Sequence, residues 1–335
     1  MKKISTAARS AMRAALAAST LVVAGATLLA PAGSALAQAP ATQRPMTLII
    51  PFPPGSSSDQ LGRVTATNIS TALGRSVIVD NKPGAGGYIG AEAAARAPGD
   101  GSVLVLTEYG TLFTSIFTKD QAVVTYRALK PVVGVGKAPF LFVSPATLPA
   151  KNVREFIALI KASPNKYNLA VTNGAGSHLQ AIRFLKEQGA DMVTIPYNDG
   201  VGPVTSLIAG DNHLYLGSYA LSKAHIDSKR LVALGFAGSE RYSLAPEIPT
   251  FNEQGINFET EIFFGVLAPG SMPADLLAQL NKTITAAMNN DNTKALLKKI
   301  GYDPAGGSPA ELSARLERQA KELTGTAAAV GIKPQ

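Results

Sequence analysis

Three loops of this chain carry the residue types that hold a small anion. The first is Pro51-Phe52-Pro53-Pro54-Gly55-Ser56-Ser57-Ser58-Asp59. The second runs from Asn81 through Lys82, Pro83, Gly84, Ala85, Gly86, Gly87, Tyr88 and Ile89 to Gly90, and the third from Thr172 through Gly174, Gly176 and Ser177 to His178. Glycine lets backbone N–H groups approach a ligand closely, and Ser and Asn side chains add neutral donors. One such loop alone is most simply a tight turn. Three of them, each between a strand-like and a helix-like run, place helix N-termini with free N–H groups where an anion can sit. A carboxylate or a phosphate is the chemistry they fit.

Rival chemistries fail on spacing. Read from Gly84, the dinucleotide pattern G-x-G-x-x-G needs its last glycine where Ile89 stands, and no phosphate-binding G-x-x-x-x-G-K-[ST] occurs. No G-x-S-x-G elbow is present. A serine hydrolase could still be drawn with a nucleophile in Ser56-Ser57-Ser58, His178 as base and Asp59 as its orienter, but a serine run in a Gly/Pro-rich turn is far more often a hydrogen-bonding surface. His178, His213 and His225 are dispersed and the chain has no Cys, so neither a metal centre nor a disulfide is expected, and no cofactor. His178 itself reads equally as a ring that bonds backbone in its turn or as a ligand donor.

The elements that must position these loops alternate along the chain. Short apolar runs at Met46–Ile50, Ser76–Val79 and Val103–Leu106 are each separated by helix-like stretches, and the pattern restarts at Phe140–Val143, Asn168–Val171, Met192–Ile195 and Leu231–Leu234. Near-continuous apolar strands alternating with helices indicate parallel sheets covered on both faces. Two βα modules in series, followed by amphipathic helices at Ala274–Met288 and Pro309–Thr324, suit an α/β fold of two lobes. Ahead of them, Lys2, Lys3, Arg9 and Arg13 precede an apolar stretch that ends in Ala35-Leu36-Ala37. This is an export leader of the general secretory type, with cleavage expected after Ala37 and a periplasmic destination. The formal charge is +8, half of it in that leader, which argues against a nucleic-acid partner.

Pro51-Phe52-Pro53-Pro54-Gly55 with Asp59, and Val79-Asp80-Asn81-Lys82-Pro83-Gly84-Ala85-Gly86-Gly87 with Ile89-Gly90, resemble the signature loops of the Bug family, the substrate-binding proteins of tripartite tricarboxylate transporters. The similarity continues through Ile195-Pro196-Tyr197, Ile248-Pro249-Thr250-Phe251, Phe264-Gly265 and Ala268-Pro269 to the tail Val330-Gly331-Ile332-Lys333. The resemblance implies a two-lobed periplasmic binding protein of the Venus-flytrap type II class, with parallel-rich sheets joined by two crossing strands near Val132–Leu141 and Thr260–Leu267. The leader would be 1–37, the first lobe 38–136 with 264–335, and the second lobe 137–263. It implies no catalysis. A monomer would capture a small organic carboxylate and hand it to membrane transporter subunits of that type; a sensor docking on a membrane receptor kinase is the alternative.

Carried over residue by residue, the resemblance puts the carboxylate grip on Phe52, Gly55, Ser56, Ser57 and Asp59 and on Gly86, Gly87 and Tyr88. Thr107 would add wall from the first lobe, and Ser177, His178, Tyr197, Asp199, Gly217 and Ser218 would complete the pocket from the second. Departures from the family pattern cluster in that second set: Gly217 stands where the family commonly has an Asp, and Phe263 replaces a usual Trp. An α-amino acid needs a carboxylate to pair its ammonium when buried. With Gly217 in the expected place, the ligand is predicted to be a non-amino mono- or dicarboxylate, aliphatic or aromatic, with Asp199 the one alternative acid.

Overall fold

The computed structural model describes residues 44–117, 125–173 and 175–329. The expected leader and its cleavage point, Gly174 and the tail from Val330 to Lys333 lie outside the described residues. Among the described residues no helix is long and apolar enough to cross a membrane.

The chain opens with β1 (Met46–Ile50), α1 (Ser57–Leu73), β2 (Val77–Asn81), α2 (Tyr88–Ala95) and β3 (Val103–Glu108). Then β4 (Leu129–Pro139) passes through Phe140 alone into β5 (Leu141–Pro145). There follow α3 (Val153–Lys161), β6 (Asn168–Thr172), α4 (Gly176–Gln188), β7 (Val193–Tyr197), α5 (Val201–Ala209), β8 (Leu214–Gly217), α6 (Tyr219–Asp227) and β9 (Leu231–Phe236). The return is β10 (Glu261–Pro269), α7 (Ala274–Met288), α8 (Asp291–Lys299), β11 (Asp303–Pro304) and α9 (Pro309–Ala329).

Local chemistry accounts for most of these boundaries. In α3, Val153, Phe156, Ile157 and Ile160 recur at helical spacing and are all buried, while Asn152 caps the start by accepting from the Glu155 N–H at 2.9 Å. The Glu155 carboxylate reaches back to the Lys151 N–H at 2.8 Å, so two otherwise unpaired donors are satisfied. Burial of four such side chains contributes roughly 1.5–3 kcal/mol each. Helices α6 and α8 bury only Tyr219 and Ser222, and Thr293 and Leu297, so neither leaves an apolar stripe to read in the sequence.

Two sheets result, ordered β11-β4-β10-β3-β1-β2 and β7-β6-β8-β5-β9. The βα strands are parallel, as expected: β2, β1 and β3 in the first sheet, β7, β6 and β8 in the second. The sheets as wholes are mixed, because β10 runs antiparallel to both β3 and β4, and β5 runs antiparallel to β8 and β9. The reason lies in the chain path. β4 leaves the first sheet in the same direction as β3 and enters the second as β5, and β10 carries the chain back. The carboxyl ends of β1–β3 therefore point toward the second sheet, and those of β6–β8 point toward the first. Backbone bonds from Ala237 N to Phe140 O (2.8 Å) and from Thr260 N to Ala237 O (2.7 Å) tie the two passages side by side.

Candidate functional site

Five helix N-termini converge where the two sets of carboxyl ends face each other: those of α1, α2, α4, α5 and α6. On the first sheet the geometry is organised by Asp59, only 3% exposed. Its carboxylate accepts from the Gly55 N–H and the Asn81 amide, both at 2.9 Å, and from the Arg63 guanidinium at 2.9 Å. The Asn81 amide also donates to Phe52 O at 3.0 Å, which binds the first loop to the second. Although partial burial works the other way, these hydrogen bonds hold Asp59 below the usual carboxylate range. Ser56 accepts from the Asp59 N–H at 3.2 Å and donates to Pro53 O at 2.8 Å, so the start of α1 is capped.

The second loop is seated on the first. A Cβ at Gly90 would lie 2.8 Å from Lys82 O and 2.9 Å from Pro51 Cβ, and Gly87 has φ +96° with Thr111 only 2.4 Å from where a Cβ would stand. Neither position accepts a side chain. The Ser57 hydroxyl lies 3.4 Å from the Tyr302 phenol, whose ionisation burial pushes up to about 12. Gly55 has φ +83° with open space where a Cβ would stand, and its N–H is held by Asp59.

On the second sheet, Ser177 and His178 are buried in the first turn of α4. Burial lowers the His178 pKa to about 4, so the ring is neutral at neutral pH. The lobes meet at a backbone pinch: a Cβ on Gly176 would come within 2.7 Å of Gly110 Cα, two residues beyond the end of β3. Ser218, at the N-cap position of α6, makes no capping bond, and its hydroxyl is buried without a partner among the described residues.

A search of known families matches residues 61–324 to TctC, the tripartite tricarboxylate transporter family receptor. Protein BugT of Bordetella pertussis is 30% identical over 87% of this chain and 90% of its own length. The periplasmic binding protein BugD superposes with a TM-score of 0.72 at 26% identity, covering 87% of this chain and 98% of BugD. An R. palustris protein solved with adipate superposes at 0.76, again with 26% identity and coverage of 87% and 98%. The chain belongs to the tripartite tricarboxylate transporter receptor family.

Within this receptor, several residues expected to meet the ligand have partners inside the protein. Asp59 shapes the first loop, since its oxygens are engaged by Gly55, Asn81 and Arg63. The same engagement takes it away from orienting a catalytic base. Phe52 packs edge-on against Phe264, ring centroids 5.9 Å apart, and so joins the core. Tyr88 turns back along its own helix toward Glu92, at 3.4 Å. Thr107 is wholly enclosed, and strand alternation places it on the opposite face from its neighbour Glu108. Tyr197 accepts from the Asn212 amide at 2.7 Å and lies against Gly202. Asp199 caps α5, accepting from the N–H groups of Val201 (2.9 Å) and Gly202 (2.8 Å).

Gly217 is the clearest case of a residue whose meaning depends on another. A Cβ there would be 2.3 Å from Tyr215 Cε1, so the Tyr215 ring occupies the space an acidic side chain would need. The Tyr215 hydroxyl in turn stands 3.4 Å from Thr172 Oγ1. Neither Tyr215 nor Glu108 was singled out in the sequence. Their signal was available only as a polar group within each strand, Glu108 at the carboxyl end of β3 and Tyr215 inside β8. Phe263, by contrast, holds its expected place on the crossing strand, its ring tilted against Tyr109 with centroids 4.9 Å apart and beneath the Arg315 guanidinium at 4.2 Å.

A cavity of about 510 Å³ opens away from these loops, beside the crossing strands. Several of its wall charges are already paired, Arg241 with Glu253, Arg315 with Glu261 and Arg183 with Glu322. It adjoins the hinge and not the converging N-termini, so it carries no claim to be the ligand pocket.

Proposed function

We propose that this receptor works in the periplasm, after its leader is removed, and captures a small non-amino organic carboxylate for a tripartite transporter without catalysing any reaction. The observation that carries this reading is the opposed set of helix N-termini at the carboxyl ends of both sheets, where backbone N–H groups and helix dipoles favour a negative group. The N–H groups of Ser57 and Gly86 grip one carboxylate, presented by loops that the N–H groups of Gly55, Ser56 and Gly87 hold in shape, and Ser177, His178, Ser218 and Tyr215 close over the body of the ligand. The lobes are 38–136 with 264–335, and 137–263, hinged at Phe140 and Thr260. Adipate in a 26% identical relative is in keeping with a dicarboxylate. The Tyr215 ring over Gly217, and Asp199 committed to capping α5, are in keeping with a ligand that brings no ammonium.

A thermal-shift panel of mono-, di- and tricarboxylates, aromatic acids and amino acids tests the reading. A true ligand at a hundredfold excess over its Kd stabilises the folded state by about 2.7 kcal/mol. Small-angle scattering with the best binder should show a smaller radius of gyration as the lobes close. A panel in which no carboxylate shifts the melting temperature would overturn the proposal.

A further inference from the structure

Glu108 ends β3, and its side chain lies on the same face as Leu104 and Leu106, which pack with Leu61 of α1. Its carboxyl therefore faces the side of the first loop, and it sits at the pinch between the lobes. Oε1 is 2.7 Å from where a Cβ on Gly110 would stand and 3.4 Å from the corresponding point on Gly176 of α4. The Gly110 N–H donates to it. The titratable groups within electrostatic reach are two phenols, Tyr215 from β8 and Tyr302 from the turn before β11, with Asp199 acting on Tyr215 from beyond it. His178, in the first turn of α4, is neutral at neutral pH. No Lys or Arg among the described residues acts on Glu108.

An ionised carboxylate half-buried at this pinch, with no counter-charge, is disfavoured, and it would repel a ligand carboxylate held at the neighbouring N-termini. A neutral carboxylic acid has neither fault. Its O–H donates to a carboxylate oxygen in a short charge-assisted hydrogen bond. We infer that Glu108 is a specificity-determining residue of the cleft, which in its protonated form donates a hydrogen bond to the bound dicarboxylate, so that ligand and proton are taken up together. The inference rests on the carboxylate reading above and adds to it a residue and a pH dependence. Burial pushes the Glu108 carboxyl up to about 7, which puts the change in protonation within the range a periplasmic protein meets.

The test is calorimetry with the tightest-binding dicarboxylate of a succinate, malate, glutarate and adipate series, from pH 6.0 to pH 8.5. In the wild-type protein the affinity should fall about tenfold or more across that range, because each complex requires a proton that the free receptor holds less often as pH rises. Glu108→Gln keeps a neutral donor, so its affinity should be flat with pH and close to the wild-type value at pH 6.0. Glu108→Ala should bind at least fivefold more weakly than Glu108→Gln at pH 6.0, because it lacks the donor. The wild-type profile needs no variant to fold. A flat wild-type profile with intact dicarboxylate binding overturns this inference alone. Tight binding of glutamate or aspartate that Glu108→Gln abolishes also overturns it, and makes Glu108 the partner of an ammonium. A series with no binder at any pH overturns the carboxylate reading, and this inference with it.

Discussion

The two sides of the cleft are built differently. On the first sheet, the start of α1 is held by Ser56, Asp59 and Asn81 in one connected network, and the second loop is locked to it by contacts at Gly87 and Gly90 that leave no room for a side chain. On the second sheet, α4 and α6 begin with no side-chain cap, and the Ser218 hydroxyl has no partner. A pre-bonded loop presents backbone N–H groups in one geometry and suits a group common to all ligands, a carboxylate. N-termini without a side-chain cap, and the Ser218 hydroxyl, would leave donors for the part of a ligand that varies. On the proposed reading, the first lobe is the constant half of the site, and the second lobe sets identity.

The sharpest way to break this contrast is at Asp59. Asp59→Ala strips the acceptor from Gly55, Asn81 and Arg63 together and should cost about 3 kcal/mol, seen as a lower denaturation midpoint. Binding should be lost with it, since the first loop no longer holds its shape. Retained affinity in a folded Asp59→Ala protein would mean that the first lobe is not pre-built.

His178 tests the other side by pH. Its pKa is about 4 folded against an ordinary 6.5, so the folded state disfavours its charged form. A lowered pKa of this kind contributes stability present above pH 6.5 and lost as pH falls through 4, on the order of 2–3 kcal/mol in all. Chemical denaturation between pH 7 and pH 4 should show this loss, and His178→Gln should reduce it. An unchanged acid limb in the variant would place the titration elsewhere.

Gly90→Ala should be milder, about 1–3 kcal/mol, because the new methyl must push Pro51 or Lys82 aside. Its effect on binding should exceed what the stability change alone implies, because it separates the two loops proposed to grip the carboxylate. The smallest expected effect is at Ser218. Ser218→Ala removes a hydroxyl that bonds nothing in the protein, so stability should move by less than about 0.5 kcal/mol. Calorimetry should nevertheless find binding weaker by about 1 kcal/mol if the hydroxyl meets the ligand. The combination of unchanged melting and weakened binding separates an identity-setting residue from a structural one.

What the sequence by itself determined is what short-range chemistry decides. The strand runs and the Gly-rich turns at the carboxyl ends of strands were legible because each depends on residues a few positions apart. The exact agreement of α7 with its apolar periodicity has the same origin, and the crossing strands β4 and β10 lie where family resemblance put them. Tertiary structure alone decided the rest. Asp59 became a loop organiser because Asn81, 22 positions away, donates to it. Gly217 became the bed of Tyr215, and not an open acid position, because strand β8 turns that ring across it. Glu108 acquired its environment from four separate parts of the chain: Gly110, Gly176, Tyr215 and Tyr302. The burial that sets the charge of a carboxyl depends on which distant atoms exclude water from it, and no local spacing records that.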